Sequence, residues 1–428
     1  MRIGWLCLDG TNTWETVSTT GTDINVRVPI FNRLHDRGDQ VAWFGLKPNS
    51  HLLEGDDLDF MRPHNEAIEI CKVNVRAAQK IWDENNKKRK WQKKYNSEGY
   101  PMSKWVGHAA VTATLAAWDK NKKLLPRCDA FIAEYMDTGL GILVLFTSLL
   151  VHYARRGTPL YVIDFERRFR YVTELKLLHD EPRANTYEHR LERYVPHSCI
   201  DDLRGKIRMI YPFDCEWDDG TNGYYKTPSV NLSVIYDEKR ELSLPRLSEK
   251  KTPIVMVGND NNRRPFIERW YGGLKYRADI YGNWQKRDST YVEGWKGINP
   301  KVRFHDPVGQ HELLSTLRQG FATIYHLPPM SIDLSQITYR VCEAALAGTV
   351  NISPSDIKNP DLYTLPEFIA KDPDDLNKII KKIKGMSEKQ YRRVIIDQRK
   401  LVRHHFDADY VFDDFIEMLV MDGVDPWK

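Results

Sequence analysis

Ile337-Thr338-Tyr339-Arg340-Val341-Cys342-Glu343-Ala344-Ala345-Leu346-Ala347-Gly348, followed by Thr349-Val350-Asn351-Ile352, contains a helix, its stop and the next strand. The small and apolar run after Arg340 favours a buried helix, Gly348 suits its end, and Val350 and Ile352 suit a strand. Arg340 and Glu343 stand three residues apart, so a helix places both on one face. An arginine fork clamps two oxygens of a phosphate, and a carboxylate accepts both hydroxyls of a ribose. Together they suit a sugar nucleotide. The alternative is a surface ion pair on an amphipathic helix, which by itself contributes little.

Working outward, strands alternate with helical stretches along the chain, the pattern of parallel sheets covered by helices. Strands are expected at Arg2–Leu8, Gln40–Gly45, Ala130–Glu134 and Leu160–Ile163, with a helix over Ile24–Arg37 that stops at Gly38. A second series is expected at Ile254–Val257, Ala278–Tyr281, Phe321–Tyr325 and Thr349–Ile352. Glu238–Lys251, charged and interrupted by Pro245, reads as the linker between two α/β halves. The expected division is residues 1–236, residues 252–405 and a closing helix within 406–428 that could return to the first half. A helical insertion is expected over about 62–118. Two Rossmann-like domains facing a central cleft follow from this series, with ligands at the carboxyl ends of the strands.

A chain of 428 residues exceeds one compact core. Lys+Arg 63 against Asp+Glu 59 gives a net charge of only +4, so bulk charge does not argue for nucleic acid and the distribution must. The apolar start, Met1 to Leu8, reads as a buried strand rather than a signal peptide. Leu140–Val151, the longest apolar stretch, is too short to span a bilayer and reads as a buried helix, so no membrane partner is expected. Six cysteines without a CxxC pair read as reduced thiols of a cytoplasmic protein. The histidines are dispersed, which argues against a zinc site.

Further segments carry candidate chemistry. Leu160-Tyr161-Val162-Ile163-Asp164 puts an acid at a strand end, where Asp164 could act as general base or cap the next turn. Ile254-Val255-Met256-Val257-Gly258-Asn259-Asp260-Asn261-Asn262-Arg263-Arg264 runs from strand into polar loop and helix, a setting for phosphate, although it is no P-loop. The loop holding Thr22 and Asp23 either lines the opposite wall of the cleft or caps the first helix. Lys87, Lys88, Arg89, Lys90, Trp91, Lys93 and Lys94, interleaved with further aromatics, suit a nucleic-acid backbone, or else a solvated helix face. Arg167 and Arg168 add a second basic cluster.

With these motifs in place, the chain resembles the bacteriophage DNA β-glucosyltransferase family, two-Rossmann enzymes of GT-B type that transfer glucose from UDP-glucose to 5-hydroxymethylcytosine in duplex DNA. Arg340-Val341-Cys342-Glu343 is similar to the family's Arg-Val-x-Glu clamp, Val257 to Arg264 to its phosphate loop, and Ile280-Tyr281-Gly282-Asn283 to its Phe-Phe-Gly-Asn strand end. Val162-Ile163-Asp164 is similar to the strand carrying its catalytic aspartate. The chain departs from the family in Asn259 for a serine, in adjacent rather than spaced arginines, in Asp23 for a glutamate, and in the insertion.

The resemblance implies a monomeric enzyme moving a sugar from a UDP-sugar to a 5-hydroxymethylpyrimidine of double-stranded DNA, with inversion, in the cytoplasm of an infected bacterium. It implies Asp164 as base; Gly258, Asn259, Arg263, Arg264, Gly282, Arg340 and Glu343 on the donor; and assistance by Mg2+ or Mn2+, for which the sequence shows no ligand cluster. A small-molecule, lipid or protein acceptor, or a DNA-binding module without catalysis, are the alternatives. If the basic segment binds DNA, replacing Lys87, Lys88, Arg89 and Lys90 with Ala weakens DNA binding. The log–log salt slope then becomes shallower by roughly 0.9 for each phosphate that is no longer neutralised, with donor binding unchanged. An unchanged slope and affinity return the segment to a solvated helix face.

Overall fold

In the computed structural model, residues 1–7, 27–45, 66–69, 125–134, 148–163, 202–203, 206–210, 225–226, 234–260, 263–309, 312–327, 337–357 and 359–425 are described. The chain divides into two units; Ser233–Val411 lies in the second, and Phe412–Lys428 belongs to the first.

The first unit carries β1 (Arg2–Cys7), α1 (Val28–Asp36), β2 (Gln40–Gly45), β3 (Glu66–Glu69), β4 (Ala130–Glu134), β5 (Leu160–Ile163), β6 (Ile207–Ile210) and β7 (Tyr225–Lys226). Its sheet runs β3-β2-β1-β4-β5-β6-β7, and every pair is parallel. All residues of β4 and β5 are buried, as expected of parallel strands covered on both faces. Helix α1 buries Ile30, Phe31 and Leu34, and ends at Gly38, whose φ of 86° suits a residue without Cβ. Trp5 meets Phe31 edge-on at 5.1 Å and Phe415 at 6.3 Å, and Tyr161 Oη donates to Asp422 at 2.6 Å. Arg208 also pairs with Asp422, so the end of the chain completes this unit's core.

One expectation is corrected here. The segment read as a helical insertion over 62–118 opens on a strand: Glu66-Ala67-Ile68-Glu69 pairs in parallel with Ala42–Gly45 and forms the sheet edge. Its terminal charges suit an edge. Of the apolar run 140–151, residues 148–151 are helical, in a helix that continues to 154; the earlier part lies outside the described residues. Among the described residues no helix is long and apolar enough to cross a membrane.

The second unit carries β8 (Thr252–Val257), α2 (Arg264–Tyr271), β9 (Ala278–Tyr281), α3 (Ser289–Ile298), β10 (Val302–His305), α4 (Leu313–Arg318), β11 (Gly320–Ile324), α5 (Arg340–Ala347), β12 (Val350–Pro354), β13 (Ile369–Ala370), α6 (Pro373–Lys384) and α7 (Glu388–Phe406). The last helix, α8 (Ala408–Met421), carries the chain back to the first unit. The sheet order is β10-β9-β8-β11-β12-β13, all parallel, the doubly wound arrangement whose order reverses between β8 and β11. That reversal separates the loops leaving β8 and β11 and opens the crevice where such sheets bind ligands.

Helix α5 is buried on every side from Val341 to Ala347, which its alanines permit. Its carboxyl end is closed by Gly348, at φ 71°, and by Arg399 of α7. Arg399 donates from Nε to Ala345 O at 2.9 Å and from Nη2 to Leu346 O at 3.0 Å and Leu242 O at 2.7 Å, while Nη1 pairs with Glu241 at 2.8 Å. Gln398 beside it accepts from Asn351 N at 2.8 Å and donates to Thr349 O at 3.0 Å.

These contacts correct the reading of Glu238–Lys251 as a bare linker. Leu242 N donates to Leu346 O at 3.0 Å, Glu241 pairs with Arg399, and Lys250 is buried with Nζ donating to Arg318 O and Gly348 O, both at 2.9 Å. The segment, with its two 3-10 turns at Glu238–Arg240 and Leu247–Glu249, is part of the second unit.

Replacing Arg399 with Met removes its hydrogen bonds to Ala345 O, Leu346 O and Leu242 O and its ion pair with Glu241, and a loss of roughly 2 kcal/mol or more is expected. A lower urea midpoint at unchanged slope checks it. Burial, and next the Arg318 charge, push the Lys250 amine down to about 7. An unfolded lysine titrates near ~10.4, so between these values the unfolded chain holds the extra proton and stability rises with pH. The melting temperature of Lys250→Met is expected to rise less between about pH 7 and 9 than that of the wild type.

Candidate functional site

Three loops leave the carboxyl ends of β8, β9 and β11 and meet the start of α5. The first two interlock. Gly258 N donates to Tyr281 O at 2.8 Å, Trp284 Nε1 donates to Gly258 O at 2.7 Å, and Asn283 N donates to Asn259 Oδ1 at 2.9 Å. A Cβ on Gly282 would lie 2.2 Å from Gly258 O, so the backbones touch where a side chain has no room. Gly258 of the expected phosphate loop and Gly282 of the expected strand end thus shape these loops by close approach.

The adjacent arginines at the end of this loop diverge. Arg264 pairs with Asp260 at 2.9 Å and Asp288 at 3.0 Å, and its guanidinium lies over the Tyr291 ring at 4.3 Å. Asp288 in turn caps α3 through Tyr291 N at 3.0 Å, and that bond, with Arg264, holds its carboxyl below the usual range. Two carboxylates thus already offset the charge of Arg264, which ties α2 to α3. Arg263 is the opposite case. It donates from Nη1 to Asn259 O at 2.8 Å and has no carboxylate in ion-pair contact among the described residues. Burial, followed by the like charge of Arg340, pushes its guanidinium down to about 10. A buried cation depressed by a second cation marks a place suited to an anion.

Arg340 opens α5, and the Tyr325 hydroxyl at the end of β11 pins that helix start by accepting from Thr338 N at 2.7 Å. Arg340 Nη1 lies 2.6 Å from Glu343 Oε2, and Glu343 is only 1% exposed. Glu343 also faces Arg240, whose guanidinium burial lowers and whose strongest opposing influence is the Glu343 charge. The carboxylate therefore stands between two arginines.

Gly258, Asn259, Arg263, Gly282, Arg340 and Glu343 come together at one end of one sheet. Asp164, Thr22, Asp23, Arg167, Arg168, Lys87, Lys88, Arg89, Lys90, Trp91, Lys93 and Lys94 lie outside the described residues. Sequence reasoning missed Arg240 and His326. The latter carried a usable signal, since it directly follows a predicted parallel strand as Asp164 does. Among the described residues no group of three or more His, Cys, Asp or Glu is placed to hold a metal ion.

Residues 263–417 match the model of the family described as glycosyl transferase-like. No curated protein matches the chain. Among solved structures, T4 phage β-glucosyltransferase in complex with UDP-glucose is similar at 12% identity and a TM-score of 0.55, over 98% of this chain and 99% of that one. HepE of Anabaena, also with UDP-glucose, is similar at 11% identity and a TM-score of 0.55, over 98% and 100% of the two chains. An O-GlcNAc transferase of Thermobaculum terrenum is similar at 11% identity and a TM-score of 0.50, over 99% of this chain and 67% of that one. The resemblance drawn from the motifs is matched in three dimensions: the chain has the fold of these transferases, and residues 263–417 form its glycosyl transferase-like part.

Proposed function

We propose that the chain is an inverting glycosyltransferase that takes its sugar from a UDP-sugar. The observation that carries this is the pair Arg263 and Arg340, two cations close enough for one to act on the other beside the reversal of the sheet order, with Arg340 paired to Glu343. A nucleoside diphosphate supplies the complementary charge, and its ribose hydroxyls the donors that a buried carboxylate accepts. The structural relatives with UDP-glucose bound support this choice of donor. One relative is in complex with UDP and Mn2+, but the described residues here offer no dedicated metal site, and no step below runs through one.

For the acceptor we propose the hydroxyl of a 5-hydroxymethylpyrimidine in double-stranded DNA, in the setting of phage DNA modification. The support is the basic, aromatic-interleaved stretch around Lys87–Lys94 and the similarity to the T4 phage enzyme. The fold alone does not choose the acceptor, because the O-GlcNAc transferase shares it. In this reading Asp164, the residue that follows β5, takes the proton of the acceptor hydroxyl. The oxygen attacks the anomeric carbon as the bond to the diphosphate breaks, and a single displacement inverts that carbon. Arg263 and Arg340 offset the charge that grows on the leaving diphosphate.

Transfer of radiolabelled glucose from UDP-glucose to hydroxymethylated DNA, compared with unmodified DNA, tests the whole reading. Arg340→Ala is expected to weaken UDP-glucose binding by about 2 kcal/mol, roughly thirtyfold in Kd. Asp164→Asn is expected to keep donor affinity and lose about a hundredfold in turnover. Calorimetry and initial rates separate the two effects; donor affinity untouched in Arg340→Ala would remove the clamp. Donor binding and hydrolysis without transfer to any DNA would move the acceptor to a small molecule, lipid or protein.

A further inference from the structure

His326 leaves β11 next to the reversal of strand order and is buried. Its Nδ1 lies 3.3 Å from Ile324 O. A carbonyl only accepts, so Nδ1 carries the proton and Nε2 presents a lone pair. That Nε2 is buried and has no hydrogen-bond partner among the described residues. It abuts the phosphate loop, for a Cβ placed on Gly258 would lie 3.0 Å from it.

A second orphan lies in the same place. Arg263 Nε, a donor, is buried and without a partner among the described residues, although Nη1 of the same guanidinium is held by Asn259 O at 2.8 Å. An unsatisfied buried polar atom costs about 1–3 kcal/mol, and native structures keep few of them. One orphaned acceptor and one orphaned donor beside consecutive loop residues complement each other. The groups around the ring explain why it remains an acceptor: Phe266 of α2 packs on it at 5.7 Å, and the charges acting on it are Arg263 from the loop ahead of α2 and Arg340 from α5. Burial and these two cations keep the imidazole neutral.

We propose that His326 is a positioning residue of the donor site, whose Nε2 accepts the Nε–H of Arg263 when an anion is bound and thereby aims the guanidinium at the diphosphate. The inference rests on the donor reading above. An arginine that grips phosphate through its Nη groups has its third donor, Nε–H, directed away from the ligand, and a neutral imidazole fixes that donor without adding a competing negative charge. Protonation of His326 would remove the lone pair and set a third positive charge against Arg263.

Calorimetric titration of the full chain with UDP tests this, using wild type, His326→Leu, His326→Gln, Arg263→Ala and the double variant Arg263→Ala/His326→Leu. His326→Leu is expected to raise Kd about tenfold, the scale of one hydrogen bond. His326→Gln, which keeps an acceptor, is expected to stay within about threefold of wild type. The double variant is expected to bind as Arg263→Ala does, because the imidazole acts through that arginine. Melting curves without ligand establish that each variant is folded, and His326→Met replaces His326→Leu if the latter is not. Wild-type affinity in His326→Leu, equal losses in Leu and Gln, or additive losses in the double variant would overturn the proposal and leave the donor reading standing. A wild-type chain that binds no UDP would overturn the donor reading and this proposal with it.

Discussion

The geometry of the second unit depends on one buried side chain, Arg399. Its guanidinium closes α5 and holds Glu241 and Leu242, thereby joining α7, the carboxyl end of α5 and the segment ahead of β8. An eight-residue helix is too short to hold itself in water, so its direction is set by what its ends meet. One end meets Arg399, the other meets the Tyr325 hydroxyl, and between them the axis that carries Arg340 and Glu343 is fixed. A phosphate clamp needs its donors held within fractions of an ångström, and here a charged capping network supplies that constraint from the far end of the helix.

Arg263 and Arg264 show how far chemistry depends on surroundings rather than residue type. Arg264 is surrounded by two carboxylates and a tyrosine ring and works as mortar between α2 and α3. Its neighbour faces another arginine and two orphaned hydrogen-bonding atoms lie beside it. The first arrangement is electrostatically closed; the second is complete only with an anion. The glycines work by similar logic, since Gly258 and Gly282 approach each other as backbones while Gly258 leaves its amide to Tyr281 O and its carbonyl to Trp284 Nε1.

Four strands of each sheet were legible because buried parallel strands are continuous apolar runs, and Gly38 and Gly348 mark helix ends through the left-handed backbone that only glycine adopts easily. Arg340 and Glu343 were legible because three-residue spacing fixes a shared helix face. The division of labour between Arg263 and Arg264 was not, because Asp288, which captures Arg264, lies 24 residues downstream. The packed state of Glu238–Lys251 was equally hidden, since its charges read as solvated until Arg399, 158 residues away from Glu241, is brought to them. Short edge strands such as β3 and β13 hold too few residues for a period to show.

The return of the chain to the first unit bears on the order in which the protein is made. Trp5 and Tyr161 are synthesised early, yet Phe415 and Asp422, which they meet, are synthesised only after the whole of Ser233–Val411. The amino-terminal sheet must therefore wait, with part of its apolar surface uncovered, while the unit encoded after it already has its whole sequence and can close. Folding on the ribosome then runs against the usual order of domains, with the carboxyl-terminal residues acting as the final step that seals the first unit. The interval is set by the speed of translation, so codon usage and chaperone access over the last third of the message become determinants of yield for a core built from its first residues.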